Sequence, residues 1–349
     1  MGSVSTQRSK QRWLSLSIAT ALMLVLLHWS FRDLNWAIVS GSLRQARWSW
    51  LVFGLGAYLF SYGLRAWRWG LLLGNQSGPL KIRIAALFVG YAGNSFLPFS
   101  AGEVVRAGLL HRQVGVPFQP ALGSILAERL LDVWVVFLLL IMGVNQLLQQ
   151  TGQAITLPLA GIALVMGSAS AAIWLAARYP NAIAKLAGQL ASQLLSLFGR
   201  QDWSHSLESA LRGLLQGLCA LRRPRRFAAV FLLSWVIWLT NGLIYWATLQ
   251  ALQMTQPGLA GALLAQSLTA FAMILPSTPG YVGPFEAAIR LVLDWFGVSR
   301  DLTVAYALML RFLMYLVTPL IGIIIALRLG LSGAELQGRP PRTVNPSNE

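Results

Sequence analysis

Six long apolar segments constrain the fold of this chain more than any other feature of its sequence. Each of them, alone or extended by its neighbours, is long enough as a helix to cross a hydrocarbon core of about 30 Å. Because lipid offers no hydrogen bonds to the backbone, such segments fold as α-helices. The sequence therefore predicts an all-α polytopic membrane protein with about six spanning helices, at residues 13–29, 50–64, 133–144, 160–177, 227–247 and 304–327.

The overall composition agrees with this class. Hydrophobic residues make up 56% of the 349 residues and charged residues only 11%, with a mean hydropathy of +0.61. A soluble domain carries about a quarter charged residues. The formal net charge of +16 comes mostly from basic residues in loops between apolar segments, where they set membrane orientation. We therefore expect no nucleic-acid partner.

The basic residues also predict which side of the membrane each loop occupies. Arg8, Lys10 and Arg12 precede the first apolar segment, and residues 178–226 contain eight Lys/Arg, so both regions are predicted to be cytoplasmic. No A-x-A-like cleavage site follows the first segment, which indicates a retained helix and not a signal peptide. Residues 338–349 are predicted to form a disordered cytoplasmic tail.

The linker 178–226 contains a stripe of leucines at helical spacing that ends in "RRPRR". This pattern suits an amphipathic helix lying at the membrane surface beside anionic lipid. It suits a helix packed against its own protein equally well. The leucines are Leu207, Leu211, Leu214, Leu215 and Leu218.

Several chemistries are excluded by what the sequence lacks. A single cysteine, Cys219, and three scattered histidines provide neither an intrachain disulfide nor a His/Cys metal site. The phosphate-binding pattern G-x-x-x-x-G-K-[ST] does not occur. We therefore predict no cofactor, no metal and no ATP-driven pumping by this chain alone.

An internal repeat links two segments, "LPFSAGEVVR" at 97–106 and "LPSTPGYVGPFEAAIR" at 275–290. Each has L-P-x-x-x-G, then an acid, then an arginine about one helical turn later. Each unit has a further arginine in the following apolar segment, 26 residues after the first glutamate and 25 after the second. The charged residues are Glu103, Arg106 and Arg129 in the first unit and Glu286, Arg290 and Arg311 in the second.

Prolines and glycines in these units predict two re-entrant broken-helix hairpins, at 84–112 and 258–296. Residues 84–97 rise only about 21 Å as a helix and so end near mid-bilayer. Basic residues flank the first hairpin, which predicts entry from the cytoplasm. The odd number of three crossings between the two hairpins predicts that the second enters from the opposite side, as in inverted-repeat transporters. The residues predicted to break the helices or satisfy their backbone are Asn94, Pro98, Gly102, Pro276, Pro279, Gly280 and Gly283.

Four of the eleven acidic residues lie in or beside these units, and a charge near the bilayer centre costs roughly 2.5 to 3.5 kcal/mol. The spacing predicts pairing of Glu286 with Arg290 and of Glu103 with Arg106, and places Glu128 and Asp132 on one helix face. These charges either hold helices in register or form a substrate site.

In the second interpretation, an anionic headgroup is bound by four arginines, Arg106, Arg129, Arg290 and Arg311. The free backbone N–H groups of the half-helices that begin near Gly102 and Gly280 contribute further hydrogen bonds to it. The acids Glu103, Glu128, Asp132 and Glu286 are then counter-charges or binders of a cationic headgroup.

Two more arginines, Arg65 and Arg68 in "LRAWRWG", follow the second apolar segment beside Trp67 and Trp69. Tryptophan and arginine are typical of the membrane interface. We expect an interfacial anchor there, with headgroup contact as the alternative.

Four motifs in order, "RAWRW", "GNSFLPFSAGEVVRAGLL", "AERLLDV" and "ILPSTPGYVGPFEAAI", resemble the flippase-like membrane proteins related to the transmembrane region of lysylphosphatidylglycerol synthase. The resemblance implies a multi-pass bacterial or archaeal membrane protein that handles lipids, including aminoacylated phospholipids and lipid-linked sugars. In the two-part synthases a soluble aminoacyl-transfer domain follows. Because this chain ends at Glu349, we expect no enzyme activity.

Taken together, the sequence predicts that residues 1–337 form a lipid flippase of the bacterial inner membrane with both termini cytoplasmic. It would move a phospholipid or lipid-linked headgroup through a polar midplane cavity, with anionic membrane lipids as its partners. The alternative is a non-transporting lipid-binding protein that regulates or recruits a lipid- or glycan-modifying enzyme. An ion-coupled small-solute transporter and an intramembrane enzyme rank third and fourth.

Overall fold

The computed structural model describes residues 28, 34–96, 101–151, 159–196, 203–273 and 281–330, and every regular element among them is helical. The first apolar segment, the C-terminal tail, Pro98, Pro276, Pro279 and Gly280 lie outside these residues. The helices are α1 (Trp36–Arg44), α2 (Trp48–Leu73), α3 (Leu80–Phe96), α4 (Gly102–Val114), α5 (Phe118–Thr151), α6 (Leu159–Arg178), α7 (Pro180–Ser196), α8 (Trp203–Gly217), α9 (Pro224–Ala251), α10 (Gly258–Ala272), α11 (Pro284–Trp295), α12 (Arg300–Arg311) and α13 (Val317–Arg328).

Two of the described helices are long and apolar enough to cross a membrane by themselves. They are α9 and the continuous helix Arg300–Arg328, in which a π-helical turn, Phe312–Leu316, joins α12 to α13. The 26 residues of α2 and the 34 of α5 extend about 39 and 51 Å, but both contain charged residues. The all-helical class is thus confirmed, while the count of about six crossings stays a prediction.

Helices α2 and α9 form an antiparallel pair at the centre of the fold. Near the end where α2 begins, Gly54 packs so closely on α9 that an added Cβ would lie 2.8 Å from Cβ of Ala247. At one end the backbone N–H of Arg47 donates to the carbonyl of Ala251 at 2.9 Å. At the other end Gly74 lies against the guanidinium of Arg226.

Helices α3 and α4 form the first hairpin. Gly78 packs on Val114 at its base and Gly90 on Gly102 near its tip, where an added Cβ on Gly102 would lie 1.9 Å from the carbonyl oxygen of Gly90. Only glycine permits this approach. The Asn94 Oδ1 accepts the backbone N–H of Gly102 at 2.8 Å, so this side chain supplies the hydrogen bond that the start of α4 lacks.

Helices α10 and α11 form the second hairpin. Gly261 packs against Phe296 at its base. Before α11, Gly283 has φ of 99°, a conformation that favours glycine. Glu286 reaches back, and its Oε2 accepts the backbone N–H of Gly283 at 2.8 Å, in the manner of an N-terminal helix cap.

The two hairpins open at opposite ends of the α2–α9 pair. The base of the first hairpin follows Gly74, at the end where α9 begins, whereas the second hairpin follows Ala251, at the end where α9 stops. At this second end Asn35 N–H donates to Asp301 Oδ1 at 2.9 Å, which ties α1 to the start of α12. The described arms of the two hairpins therefore enter the bundle from opposite ends, the geometry that inverted repeats require.

The amphipathic helix of the linker, α8, packs against the protein. Leu215 and Leu218 are buried in a cluster with Leu72 and Leu131, and an added Cβ on Gly123 of α5 would lie 1.9 Å from a backbone oxygen of α8. Leu211, Leu215 and Leu218 of the leucine stripe pack against the bundle, as in the second of the two interpretations.

We predict that Gln113, after the base of the first hairpin, and Ser299, before α12, lie on opposite sides of the membrane, because the hairpins open at opposite ends. Both residues are exposed. Single cysteines at these positions, in a Cys219→Ser background, are labelled with a membrane-impermeant maleimide in intact and in permeabilised cells. Labelling of both from the same side would contradict the arrangement.

Candidate functional site

A cavity of about 440 Å³ lies between the described arms of the two hairpins. Helices α2, α3, α5, α9 and α10 line it together with the π-helical turn and the start of α13, and six tyrosines contribute to its surface. A volume of this size is within the range of small-molecule sites. The cavity is therefore large enough to hold a small ligand or a headgroup.

Arg65 enters this cavity from α2. It is only 7% exposed, its Nη1 donates to the Tyr91 hydroxyl at 3.2 Å, and its guanidinium lies 5.9 Å from the Tyr91 ring and 5.7 Å from the Trp238 ring. The expectation of an exposed interfacial anchor is wrong for this residue. The apolar run ends at residue 64, but α2 continues to Leu73 and carries Arg65 along the inside of the bundle.

Arg68, one turn later, is 1% exposed and is also not an interfacial anchor. It contacts both carboxylate oxygens of Asp132, with Nη2 at 3.0 Å from Oδ2, and its Nη1 donates to Ser234 Oγ at 2.7 Å. Trp238 Nε1 donates to Asp132 Oδ1 at 2.9 Å. These bonds connect α2, α5 and α9, and they give the buried guanidinium the partner that its burial requires.

The ion pairs continue from Arg68 towards the first hairpin. Glu128 Oε1 lies 3.8 Å from Arg68 Nε, while Glu128 Oε2 lies 2.7 Å from Arg106 Nη1. Arg106 also lies 3.8 Å from Glu103 Oε2, and Glu103 in turn contacts Arg129 Nη2. The expected pairing of Glu103 with Arg106 is present, but at 3.8 Å it is longer than the 2.7 Å contact of Arg106 with Glu128.

This network contains one more positive charge than negative. Its arginines are Arg65, Arg68, Arg106 and Arg129, and its acids are Glu103, Glu128 and Asp132. In the part of the chain that the structure describes, no carboxylate lies within ion-pair distance of Arg65. Among the described members of the network, Arg65 is the arginine with no carboxylate within ion-pair distance.

In the second unit, Glu286 contacts Arg311, whose Nε donates to Oε1 at 2.5 Å. The prediction that Glu286 pairs with Arg290 is therefore wrong. Arg290 lies instead near Asp294, with its Nε 3.7 Å from Asp294 Oδ2. The capping bond to Gly283 explains the difference, because it turns the Glu286 carboxylate towards the start of α11 and away from the following turn.

The two repeat units form the same ion pair. Glu103 with Arg129 and Glu286 with Arg311 each join the second arm of a hairpin to the long helix after it. Tyr62 and Tyr245, which both line the cavity, are 183 residues apart, as are Glu103 and Glu286. The sequence repeat thus corresponds to a repeated contact in three dimensions.

Of the predicted site residues, Asn94, Arg129 and Asp132 are on the cavity surface. Arg106, Glu103 and Glu128 belong to the network behind it, and Arg290, Arg311 and Glu286 belong to the second unit's pairs. The sequence analysis missed Arg65 as a cavity residue, together with Trp238, Asn241, Gln266 and the tyrosines. Tyr58, Tyr62 and Arg65 lie at helical i, i+4, i+7 spacing, and this polar stripe inside an apolar helix was the available signal.

Within the described ranges, no group of three or more histidine, cysteine, aspartate or glutamate side chains is placed to hold a metal ion. The network acids all contact arginines, so the polar chemistry of this site is that of guanidinium groups, amides and tyrosine hydroxyls.

An all-helical bundle with two apolar helices of spanning length among the described residues is consistent with a helical membrane protein. The chain belongs to the family described as the lysylphosphatidylglycerol synthase TM region, whose model matches residues 12–322. The resemblance inferred from the four motifs is thereby confirmed, and with it a membrane domain of a lipid-related type. A comparison with individually curated proteins finds no match.

We predict that Glu286 and Arg311 stabilise each other. Removing one partner of a buried pair costs roughly 3 to 5 kcal/mol, because the other charge stays buried alone. Glu286→Gln and Arg311→Gln should each lower the thermal stability of the purified protein, and the double variant should regain much of the loss.

The matched control is the exposed pair Glu208–Arg212 on α8, where the same substitutions should cost about 0.5 kcal/mol or less. Additive losses in the Glu286/Arg311 double variant would show that the pair is not energetically coupled.

Proposed function

We propose that this chain is a lipid flippase that binds an anionic phospholipid headgroup in the cavity at Arg65. The observation that carries the proposal is the excess positive charge of the buried network, located at a side chain that faces a cavity and has no described carboxylate partner. Asp132 acts on Arg65 electrostatically but is already in contact with Arg68, and an incompletely compensated buried charge is costly. An anionic ligand supplies the missing counter-charge.

The chemistry of the cavity favours a phosphate group. The planar guanidinium can donate two parallel hydrogen bonds to phosphate oxygens. Arg129, whose side chain is 41% exposed, is a second cation on the cavity surface. With Asp132 held by Arg68 and Trp238, the lining presents net positive charge to a ligand.

The acids support the same assignment. Asp132, Glu128, Glu103 and Glu286 each contact at least one arginine. This pairing supports their role as counter-charges within the protein and argues against their alternative role as binders of a cationic headgroup.

The arrangement of the hairpins supports movement of the lipid across the membrane. Broken helices that meet near the midplane from opposite sides are a feature of secondary transporters, which expose one central site alternately to each side. We propose that α3–α4 enters the inner membrane from the cytoplasm, that α10–α11 enters from the other side, and that both termini are cytoplasmic.

We predict that Arg65→Gln weakens binding of a phosphate lipid and does not destabilise the lipid-free protein. The loss of a charged hydrogen bond, about 1.5 to 3 kcal/mol, corresponds to a roughly ten- to hundredfold weaker affinity. Removing the excess charge should leave the lipid-free melting temperature unchanged or higher, whereas a purely structural arginine would lower it. Arg65→Lys should restore binding only in part, because the forked geometry is lost.

The measurements are native mass spectrometry with phosphatidylglycerol for affinity and fluorescent-lipid quenching in proteoliposomes for transport. Arg44→Gln, at an exposed position at the end of α1, is the matched control. Unchanged affinity in Arg65→Gln would remove the proposed site. Binding by the unaltered protein without any flipping in liposomes would favour the non-transporting lipid-binding partner.

A further inference from the structure

Helices α7 and α8 pack on each other but present different chemistry to their surroundings. On the described part of α8, the exposed side chains are polar, namely Ser209, Arg212 and Gln216. On α7, Leu186 and Leu190 are 56% and 52% exposed. The outward side of α8 therefore suits water, whereas the outward side of α7 leaves apolar surface uncovered.

The two leucines lie one helical turn apart, on the side of α7 that faces away from α8. Ala184 is buried, and Gly188 packs so closely on α8 that an added Cβ would lie 3.0 Å from Glu208 Oε2. Positions 184 and 188 lie roughly half a turn around the helix from positions 186 and 190. A surface helix that faces water carries polar residues on this side. We call Leu186 and Leu190 the outer face of α7.

The packing of α7 places its outer face at the level of the bundle's helix ends. Ala184 belongs to a buried cluster that includes Leu72 and Val230. Leu72 is next to the last residue of α2, and Val230 lies within about two turns of the start of α9. Since α9 is long and apolar enough to span a bilayer, this level corresponds to the boundary between headgroups and acyl chains.

The outer face also continues from a helix with an exposed apolar surface. On α6, which the sequence predicts to span the membrane, Leu164 is 75% exposed and Trp174 is 63% exposed. The chain then bends at Tyr179 and enters α7. Tyr179 is 53% exposed, and the guanidinium of Arg178 lies 5.4 Å from its ring. An aromatic ring beside a basic residue is typical of the membrane interface.

Basic side chains surround this bend. Arg222 Nη2 donates to the Arg178 carbonyl at 3.0 Å, which brings the basic turn before α9 to the junction of α6 and α7. Among the described linker residues, the acid Glu208 contacts Arg212, so it does not offset these charges. The exposed basic residues near the bend are Arg178, Lys185, Arg222, Arg223 and Arg225.

We propose that the outer face of α7 docks on an anionic lipid leaflet, with its leucines among the upper acyl chains and the basic residues beside the lipid phosphates. Charge complementarity selects this occupant, because each basic side chain near an anionic surface strengthens binding about fivefold. A second copy docked through the same face would bring two clusters of like charge together. This surface is separate from the cavity and does not depend on the proposed function.

The experiment places the fluorophore NBD on single cysteines, Leu186→Cys or Leu190→Cys, in full-length Cys219→Ser protein in nanodiscs that hold one copy. Quenching is compared between phosphatidylglycerol and phosphatidylcholine that carry a nitroxide at the same upper acyl position and are present at the same low mole fraction. We expect quenching at both sites, about fivefold more efficient with phosphatidylglycerol, because the basic residues enrich this lipid locally.

Two control positions calibrate the quenching. Leu164→Cys lies on exposed apolar surface but about 21 Å along α6 from Arg178, so both lipids should quench it equally. Gln216→Cys, on the polar side of α8, should be quenched weakly by either lipid.

Charge variants test the role of the basic residues. In the combined variant Lys185→Gln, Arg222→Gln, Arg223→Gln and Arg225→Gln, the preference for phosphatidylglycerol at Leu186→Cys should fall to that at Leu164→Cys. Quenching by phosphatidylcholine should stay unchanged. Lys185→Gln alone, a milder variant at an exposed position, should lose part of the preference if the combined variant folds poorly.

Three results would overturn the proposal. Quenching at Leu186→Cys and Leu190→Cys as weak as at Gln216→Cys would mean that the outer face does not contact lipid. Equal quenching by the two lipids at these sites would mean that the basic residues select no anionic lipid. A disulfide-linked dimer of Leu186→Cys in native membranes, without quenching in the nanodiscs, would assign the face to a second copy of the chain.

Discussion

The contact between Arg68 and Asp132 is the interaction on which the site depends. It connects α2 to α5, and the bonds to Ser234 and from Trp238 extend it to α9. Three of the helices around the cavity are thus tied together by one ion pair with about 1% of Arg68 and 4% of Asp132 exposed. Because Asp132 is engaged in this way, Arg65 beside it lacks a carboxylate of its own.

The sequence predicted the features that local physics determines. Proline, glycine and segment length gave two helical hairpins, and the spacing of 26 and 25 residues from each glutamate to a later arginine corresponds to the pairs Glu103–Arg129 and Glu286–Arg311. Such spacing is informative because a short hairpin arm and the helix after it must lie side by side. The membrane crossings and the lipid partner remain predictions.

Two expectations failed for reasons that lie outside local spacing. Glu286 and Arg290 are one turn apart, but a backbone N–H competes for the carboxylate and decides its direction. Arg68 follows an apolar run, but its environment is set by two acids 60 and 64 residues away on another helix. A tertiary partner so far away in sequence cannot be predicted from the neighbouring residues. The end of the apolar run was therefore taken as the point where α2 leaves the protein interior, although the helix stays buried beyond it.

The π-helical turn at Phe312–Leu316 makes the two halves of the molecule mechanically unequal. In the first half, α5 is one uninterrupted α-helix, and the contact between Gly90 and Gly102 leaves no space for its hairpin arms to slide. In the second half, the long helix has a widened turn beside the cavity, followed by Pro319, which has no N–H to bond to the preceding turn. A bend there breaks fewer backbone hydrogen bonds, so the second half is the softer part and the first half the stiffer one.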